Sequence, residues 1–371
     1  MAPHGKRRAL QGLVAAVAAL LVVGAAGCSS GSGSGGSSAS GPKIAFLLPE
    51  NKTARYEAAD RPYFTDKVKS LCSDCQVLYS NAEGDATKQK QQVEAAITRG
   101  VKALVIDAVD TKAAASAVTE AKQAGIPVLS YARLVEGAPV DAFISVETYK
   151  GGQQQAQSML DALKAAGKTN PRIVMINGSP TDSNAPPFKQ GAHNIFDAAG
   201  VQVVREFDTP NWDPDVAQQE MEQAITALGP DGFDAVYVCN DGMASGAIAA
   251  LKAANIDPST KFVTGQDAEV AALQRIITGE QYMTLYQPIK AIAESAAQMA
   301  VDMAHGKKPS GTTTTVDNGS GSDVPAILHE MTVVKKDNIK DTVIAEHFTT
   351  VDQICTSAYA SACRRIGLTQ G

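Results

Sequence analysis

Eight apolar runs in this 371-residue chain each break off into residues that hydrogen-bond in pairs. KIAFLL gives way to PENKTARYEAADR, with Arg55 and Tyr56; ALVIDA to Val109-Asp110-Thr111; PVLSY to Ala132-Arg133; and RIVMI to NGSPTDSNA, with Asn184. VREF leads into DTPNWDPD, which carries Trp212, the only tryptophan. AVYVC leads into Asn240-Asp241, VTG into Gln266-Asp267 and MTLY into Gln287-Pro288. Planar amides, carboxylates and guanidinium groups bond adjacent hydroxyls two at a time, while an aromatic face covers the C–H face of a ring. Together they have the chemistry of a site for a neutral, polyhydroxylated ligand. Loops are polar in any protein; the weight lies in finding these types at one kind of position.

The usual catalytic signatures do not accompany them. No G-x-S-x-G elbow follows a strand-like run, and neither H-E-x-x-H nor a phosphate-cradling G-x-x-x-x-G-K-[ST] occurs. His4, His193, His305, His329 and His347 are scattered, and the acids Asp213 and Asp215 read as a D-P-D turn that opens a helix. The expectation is a binding protein, with no enzyme activity, cofactor or metal.

The runs themselves predict the scaffold. Strand-like KIAFLL, QVLYS, ALVIDA, PVLSY, AFISV, RIVMI, VQVVREF, AVYVC, KFVTG and MTLY alternate with segments of helical periodicity. The helical segments include 88–99, 111–124, 153–166, 216–227 and 291–305, several of them stopped by Gly100, Gly125 or Gly306. Such alternation argues for parallel sheets covered by helices on both faces. The pattern restarts between 146 and 152, which predicts a second sheet. In open parallel sheets, ligands bind beyond the carboxyl ends of the strands, where all eight loops fall.

The first residues are of another kind. Lys6, Arg7 and Arg8 precede an uncharged stretch, Gly12 to Gly27, too short for a comfortable membrane span and closed by small residues. Residues 1–27 are expected to be an export signal. Ala25-Ala26-Gly27-Cys28 resembles the lipobox of bacterial lipoproteins, which implies a lipid on Cys28 and a Gly/Ser tether over 28–42. Such a tether has a root-mean-square reach of roughly 20 Å. Loss of the leader takes the formal charge from −6 to −9 by removing Lys6, Arg7 and Arg8, and no basic stripe remains to favour nucleic acid. In an oxidising compartment, Cys72-Cys75 and Cys355-Cys363 are expected as local disulfides, with Cys239 a buried thiol. A zinc site from those four is disfavoured, since the second spacing is wrong and no histidine accompanies them in sequence.

Over residues 43 to 350 the sequence resembles the type I periplasmic binding proteins, the sugar-binding subunits of ABC importers, and particularly their xylose-binding members. The pieces that carry the resemblance are YVCNDGMASGAIAAL, GQDAEVAALQRIITGEQYMTLYQPI, GSPTDSNA and NIKDTVIAEHF. It implies two Rossmann-like lobes, each a parallel sheet flanked by helices, joined by a three-stranded hinge. Lobe 1 is expected at 43–147 plus 288–325 and lobe 2 at 148–287 plus 326–350. The hinge crossings are expected near Glu147, Gln287 and Pro325, and a disulfide-stapled tail at 351–371. The sugar-contacting set carried over is Arg55, Tyr56, Arg133, Asn184, Trp212, Asn240, Asp241, Asp267 and Gln287.

Two motifs depart from the family. Y-D-R is here Tyr131-Ala132-Arg133, and Y-K-P is Tyr286-Gln287-Pro288, so an acid and a base have gone together. Each lost hydrogen bond at a desolvated site is worth about 1–3 kcal/mol. Asp107 and Asp110 are the nearby acids that would compensate. The resemblance implies a monomeric lipoprotein on the outer face of the cell membrane that passes a xylose-like aldopyranose to an ABC permease. The alternative is a receptor that presents its ligand to a membrane sensor kinase.

Overall fold

A computed structural model describes residues 41–369, so Cys28 and all but the end of the tether lie outside the described residues. Strands β1 (Lys43–Leu48), β2 (Gln76–Asn81), β3 (Ala103–Ile106), β4 (Val128–Tyr131) and β5 (Ala142–Val146) are parallel neighbours in the order β5-β4-β3-β1-β2. The helices Arg61–Leu71, Ala86–Thr98 and Ala114–Gln123 connect the first four. After Lys43, IAFLL is apolar along its length, as is ALVI, because both faces of the sheet are covered, and both are buried at every position. Phe46 of β1 stacks on Phe64 at 4.0 Å between ring centroids and meets the edge of Tyr131 at 5.4 Å.

The chain leaves this sheet at Glu147 and enters the helix Thr148–Ala165, which belongs to a second layered unit. There β6 (Arg172–Asn177) lies between β7 (Gln202–Asp208) and β8 (Ala235–Val238), all parallel. Helices Ala185–Ala198, Pro214–Leu228 and Asp241–Ala253 flank them. The expected strand KFVTG is not a regular one: Phe262 has a φ of +42°. It still runs between β8 and β9 (Thr284–Tyr286), its Thr264 N–H donating to Val236 and its Gly265 carbonyl accepting from Leu285. Pieces of backbone bonding thereby continue the second sheet across the gap.

At Gln287 the chain returns to the first unit through the helix Ile289–Ala304, and β10 (Thr314–Asp317) and β11 (Asp323–His329) extend the seven-stranded sheet. The third crossing lies past His329, and the expectation at Pro325 is corrected here. Pro325 has no N–H to offer β5, and pairing with β5 begins one residue later, running from Ala326↔Phe143 to His329↔Val146. The proline sits inside a strand of the first unit. After Glu330, β12 (Thr332–Val334) pairs with β9.

The end of the chain folds onto the second unit. Ile354, Ala362 and Leu368 are buried with Leu273, Ile276 and Ile277 of the helix Val270–Thr278, and Gln274 donates to the Ile354 carbonyl at 3.2 Å. Cys355 and Cys363 are disulfide-bonded with 5.9 Å between Cα atoms, as are Cys72 and Cys75 with 5.2 Å. Cys239 is a buried free cysteine whose thiol is pushed up by that burial.

Candidate functional site

Arg55 and Tyr56 stand where the loop after β1 winds into a wide turn. Tyr56–Asp60 is a π-helical turn, and the Arg61 N–H donates to the Tyr56 carbonyl five residues back. That winding brings residues five apart onto one side. Arg55 Nε donates to Asp60 Oδ2 at 2.9 Å and Nη2 to Asp60 Oδ1 at 2.8 Å, while the Tyr131 hydroxyl donates to the same carboxylate. Burial opposes the Arg55 charge, but Asp60 outweighs it through charge and hydrogen bonding, and the guanidinium holds its proton more firmly than usual.

Arg133 follows β4 at a sharp bend, where Ala132 has a φ of +56°. Its Nη1 donates to the Ala108 carbonyl at 3.0 Å and its Nη2 to the Tyr56 hydroxyl at 3.3 Å. Nε faces two acids: Asp182 Oδ2 at 2.8 Å and Asp107 Oδ1 at 3.4 Å. Burial pushes the Asp107 carboxyl well up, with Arg133 pulling the other way.

The second unit supplies the opposite wall. Gly178 opens the loop after β6, and a Cβ there would lie 2.1 Å from the Trp212 indole. Trp212 reaches this position from a tight turn in which Asn211 and Trp212 have φ of 56° and 54°. Its Nε1 donates to Asp182 Oδ2 at 3.1 Å, so one carboxylate oxygen orients both the indole and Arg133. Asn184, at the start of the helix Ala185–Ala198, donates from Nδ2 to the Ala132 carbonyl at 2.8 Å. Asn240 caps the helix Asp241–Ala253, its Oδ1 accepting from Met243 N at 2.9 Å, and Nδ2 is left for the cavity.

Gln287, on the second crossing, joins an acid to a base. Its Oε1 accepts from Arg55 Nη1 and its Nε2 donates to Asp267 Oδ1, both at 2.8 Å, where Arg55 and Asp267 are themselves 3.9 Å apart. Burial pushes the Asp267 carboxyl up to about 6; Arg55 pulls it down, while Asp60 and Glu50 add to the rise.

The two units are closed on one another. Besides Arg133–Asp182 and Asn184–Ala132, Thr111 N donates to Thr181 O at 3.0 Å and Leu134 N to Ser183 Oγ at 2.8 Å. Ala54 N donates to Glu269 Oε1 at 3.3 Å, and Lys52 pairs with Asp213. Between them lies a cavity with about 50 Å³ of water-accessible space. Thickened by a water radius all round, that is on the order of 200 Å³, room for one pyranose ring and not two.

Residues 44–308 match the periplasmic binding protein domain. The chain belongs to the periplasmic binding protein family. It is 36% identical over 310 residues to the D-xylose-binding periplasmic protein of Escherichia coli K12, covering 82% of this chain and 90% of that one. A solute-binding protein of an ABC transporter from Clostridium phytofermentans, solved with bound β-D-glucose, superimposes with a TM-score of 0.75 at 26% identity over 84% of this chain and 99% of that one. A carbohydrate transporter solute-binding protein from Chloroflexus aurantiacus, in complex with D-glucose, gives 0.74 at 29% identity over 84% and 97%.

Within this family fold, Arg55, Tyr56, Arg133, Asn184, Trp212, Asn240, Asp267 and Gln287 line one cavity. Asp241 does not, and its expected contact is withdrawn. As the first residue of its helix it points away from Asn240, and its carboxylate accepts from Gln281 Nε2 at 2.7 Å, Thr284 Oγ1 at 2.9 Å and Glu269 N at 3.0 Å. Nor does Asp110 replace the acid missing at Ala132: it is spent on the N–H groups of Lys112 and Ala113. Asp107 touches Arg133 but does not line the cavity. The acid that lines the cavity beside Arg133 is Asp182, from the opposite unit, and sequence reasoning did not single it out. Its only signal was its place inside GSPTDSNA. Gln266, noted beside Asp267 in the sequence, lines the cavity too, and Phe188 and Ser145 line it without having been anticipated.

Proposed function

We propose that the chain is the extracytoplasmic receptor of an ABC importer and captures one aldopyranose, xylose or a close relative, between its lobes. The observation that carries this reading is a ring-sized cavity walled by Trp212 and by two guanidinium groups, each braced from behind by a carboxylate. Braced side chains meet sugar hydroxyls without first losing rotamer freedom, which favours affinity and discrimination. D-xylose and D-glucose, the sugars of the relative from Escherichia coli and of the two solved neighbours, fit a site of that size. Ligand bridging both walls favours the closed arrangement because its contacts are complete only there.

Calorimetric titration of the full chain in detergent with D-xylose, then with other monosaccharides, tests this reading while Trp212 emission is followed. One-to-one binding by a monosaccharide with a Trp212 response is the expected result; no heat and no emission change across the panel would overturn it. Loss of labelled-sugar uptake on deletion of the protein is expected of an importer subunit, and unchanged uptake would remove that role. The protein acts as a monomer held by a lipid on Cys28, so Cys28→Ser is expected to release it from the membrane; retention would refute the anchor.

A further inference from the structure

The end of the helix Arg61–Leu71 carries a cluster that the sugar site does not use. Cys72, at the C-cap, and Cys75 are brought together by a turn in which Cys75 N donates to Cys72 O at 3.1 Å. The helix Ile289–Ala304 packs against this helix, and His305 is its C-cap. A ligand atom from each of Cys72, Cys75 and His305 lies within 4.8 Å of the others. Sequence reasoning set aside a zinc site of Cys72, Cys75, Cys355 and Cys363 for the wrong second spacing and for want of a histidine; the fold supplies a histidine to the first pair from a distant segment.

The imidazole is already oriented. His305 Nδ1 lies 2.8 Å from the Val301 carbonyl. A carbonyl only accepts, so Nδ1 carries the proton and Nε2 presents a lone pair. Metal-bound histidines are commonly held in this way, with the second ring nitrogen donating to a backbone carbonyl. Asp74 adds a carboxylate oxygen 3.3 Å from Cys72 Sγ. Cys72 is buried, Cys75 half-buried and His305 exposed, so the cluster opens to solvent on one side.

We propose that reduction of Cys72–Cys75 converts this staple into a binding site for a thiophilic divalent cation, with zinc the natural choice. A dithiol reductant delivers two electrons and two protons, the S–S bond breaks, and the reductant leaves as its own disulfide. Zinc then displaces both thiol protons and is bound by two thiolates and His305 Nε2, with Asp74 or water in the fourth position. Tetrahedral zinc places such ligand atoms about 3.5–3.8 Å apart, so the sulfurs must separate, while the imidazole already lies near enough to need only a small adjustment. Oxidised, the bond staples only the turn that ends the helix Arg61–Leu71; reduced and metal-bound, the cluster ties that turn to the end of the helix Ile289–Ala304.

The test compares the full chain with its Cys72→Ser/Cys75→Ser variant, both treated with a phosphine reductant, so that the other four cysteines are common to both. Zinc is titrated against a chromophoric chelator, and alkylation of each cysteine is followed by mass spectrometry. One additional zinc per chain, protection of Cys72 and Cys75 from alkylation, and at least tenfold weaker binding in His305→Ala support the site. Equal zinc content in the two proteins would overturn it. So would a Cys72–Cys75 bond that stays oxidised in the folded chain under reductant, or binding indifferent to His305.

Discussion

Gly178→Ala is a test of the sugar site that touches no sugar-facing atom. The added methyl would lie 2.1 Å from one indole carbon of Trp212, 2.4 Å from a second and 2.6 Å from a third. To regain an ordinary 3.4 Å contact, the ring must shift by at least about 1.3 Å. The Gly178 backbone is outside the left-handed region, so the strain arises at the indole alone. A displacement of that size breaks the 3.1 Å bond from Nε1 to Asp182 and moves the ring from its place in the cavity wall. A hydrogen bond to a carboxylate contributes about 1.5–3 kcal/mol and a ring contact about 0.5–1.5 kcal/mol. Allowing for partial relaxation, the loss is about 2–3 kcal/mol, or roughly 30- to 150-fold in Kd. Calorimetry gives the affinity, and the lone tryptophan reports its own displacement as a shift in emission. Near-native affinity with unchanged emission would refute the claim that Gly178 seats the indole against the ligand.

Three other outcomes follow from the same geometry. In the proposed site sugar hydroxyls would donate to the Asp267 carboxylate, so binding would favour its charged form; affinity should be full above about pH 6 and fall by up to tenfold per unit below it. The unliganded fold runs the other way. Its Asp267 carboxyl is raised above the ordinary 3.8, so this group's contribution to stability declines as pH rises from 4 to 6, by about 3 kcal/mol at most. Asp267→Asn should flatten both curves, and a pH profile identical to wild type would exclude this assignment. Lys52→Met removes an ion pair that crosses the cleft and is 40% exposed on the lysine side. Such pairs contribute about 0.2–1 kcal/mol, so affinity should drop by no more than about fivefold, and high salt should abolish the difference. Gln287→Lys destroys the acceptor for Arg55 and sets a cation against it. Affinity should fall at least tenfold, whereas Ala132→Asp/Gln287→Lys should recover part of the loss; strict additivity in the double-mutant cycle would show that the two family departures are independent.

The large features were legible because burial on both sides of a sheet forces apolar strands, and chain alternation forces the crossovers. The cavity wall was legible for a related reason: residues after parallel strands have one place to go. Asp60 was not legible. Its partnership with Arg55 depends on a π turn, which shifts the facing residue from four to five positions on, and no pattern in YEAAD announces that. Asp241 was misread because adjacency in sequence hides the change from extended backbone at the N-cap Asn240 to helix at Asp241, which sends the two side chains different ways. Asn240 caps the helix and faces the cavity; the next residue faces the interior. Pro325 was misplaced because a proline can precede a ladder as readily as interrupt one.

The charges at the site also decide which sugars are refused. Both guanidinium groups are already committed. Arg55 is held by Asp60 and Gln287, and Arg133 by Asp182, Asp107, the Ala108 carbonyl and the Tyr56 hydroxyl. Against these two cations stand Asp60, Asp182 and Asp267, with Asp107 pushed toward its neutral form by burial. An anionic ligand would find no unpaired cation and at least one excess carboxylate in a desolvated space. A like charge about 5 Å away at an effective dielectric of 20 costs about 3 kcal/mol. A sugar acid or sugar phosphate of matching ring configuration should therefore bind at least 100-fold more weakly than the neutral sugar. Competition titration against the preferred monosaccharide measures this directly. Comparable affinity for the acid would mean that one guanidinium leaves its carboxylate on binding, and that the braces are exchangeable partners.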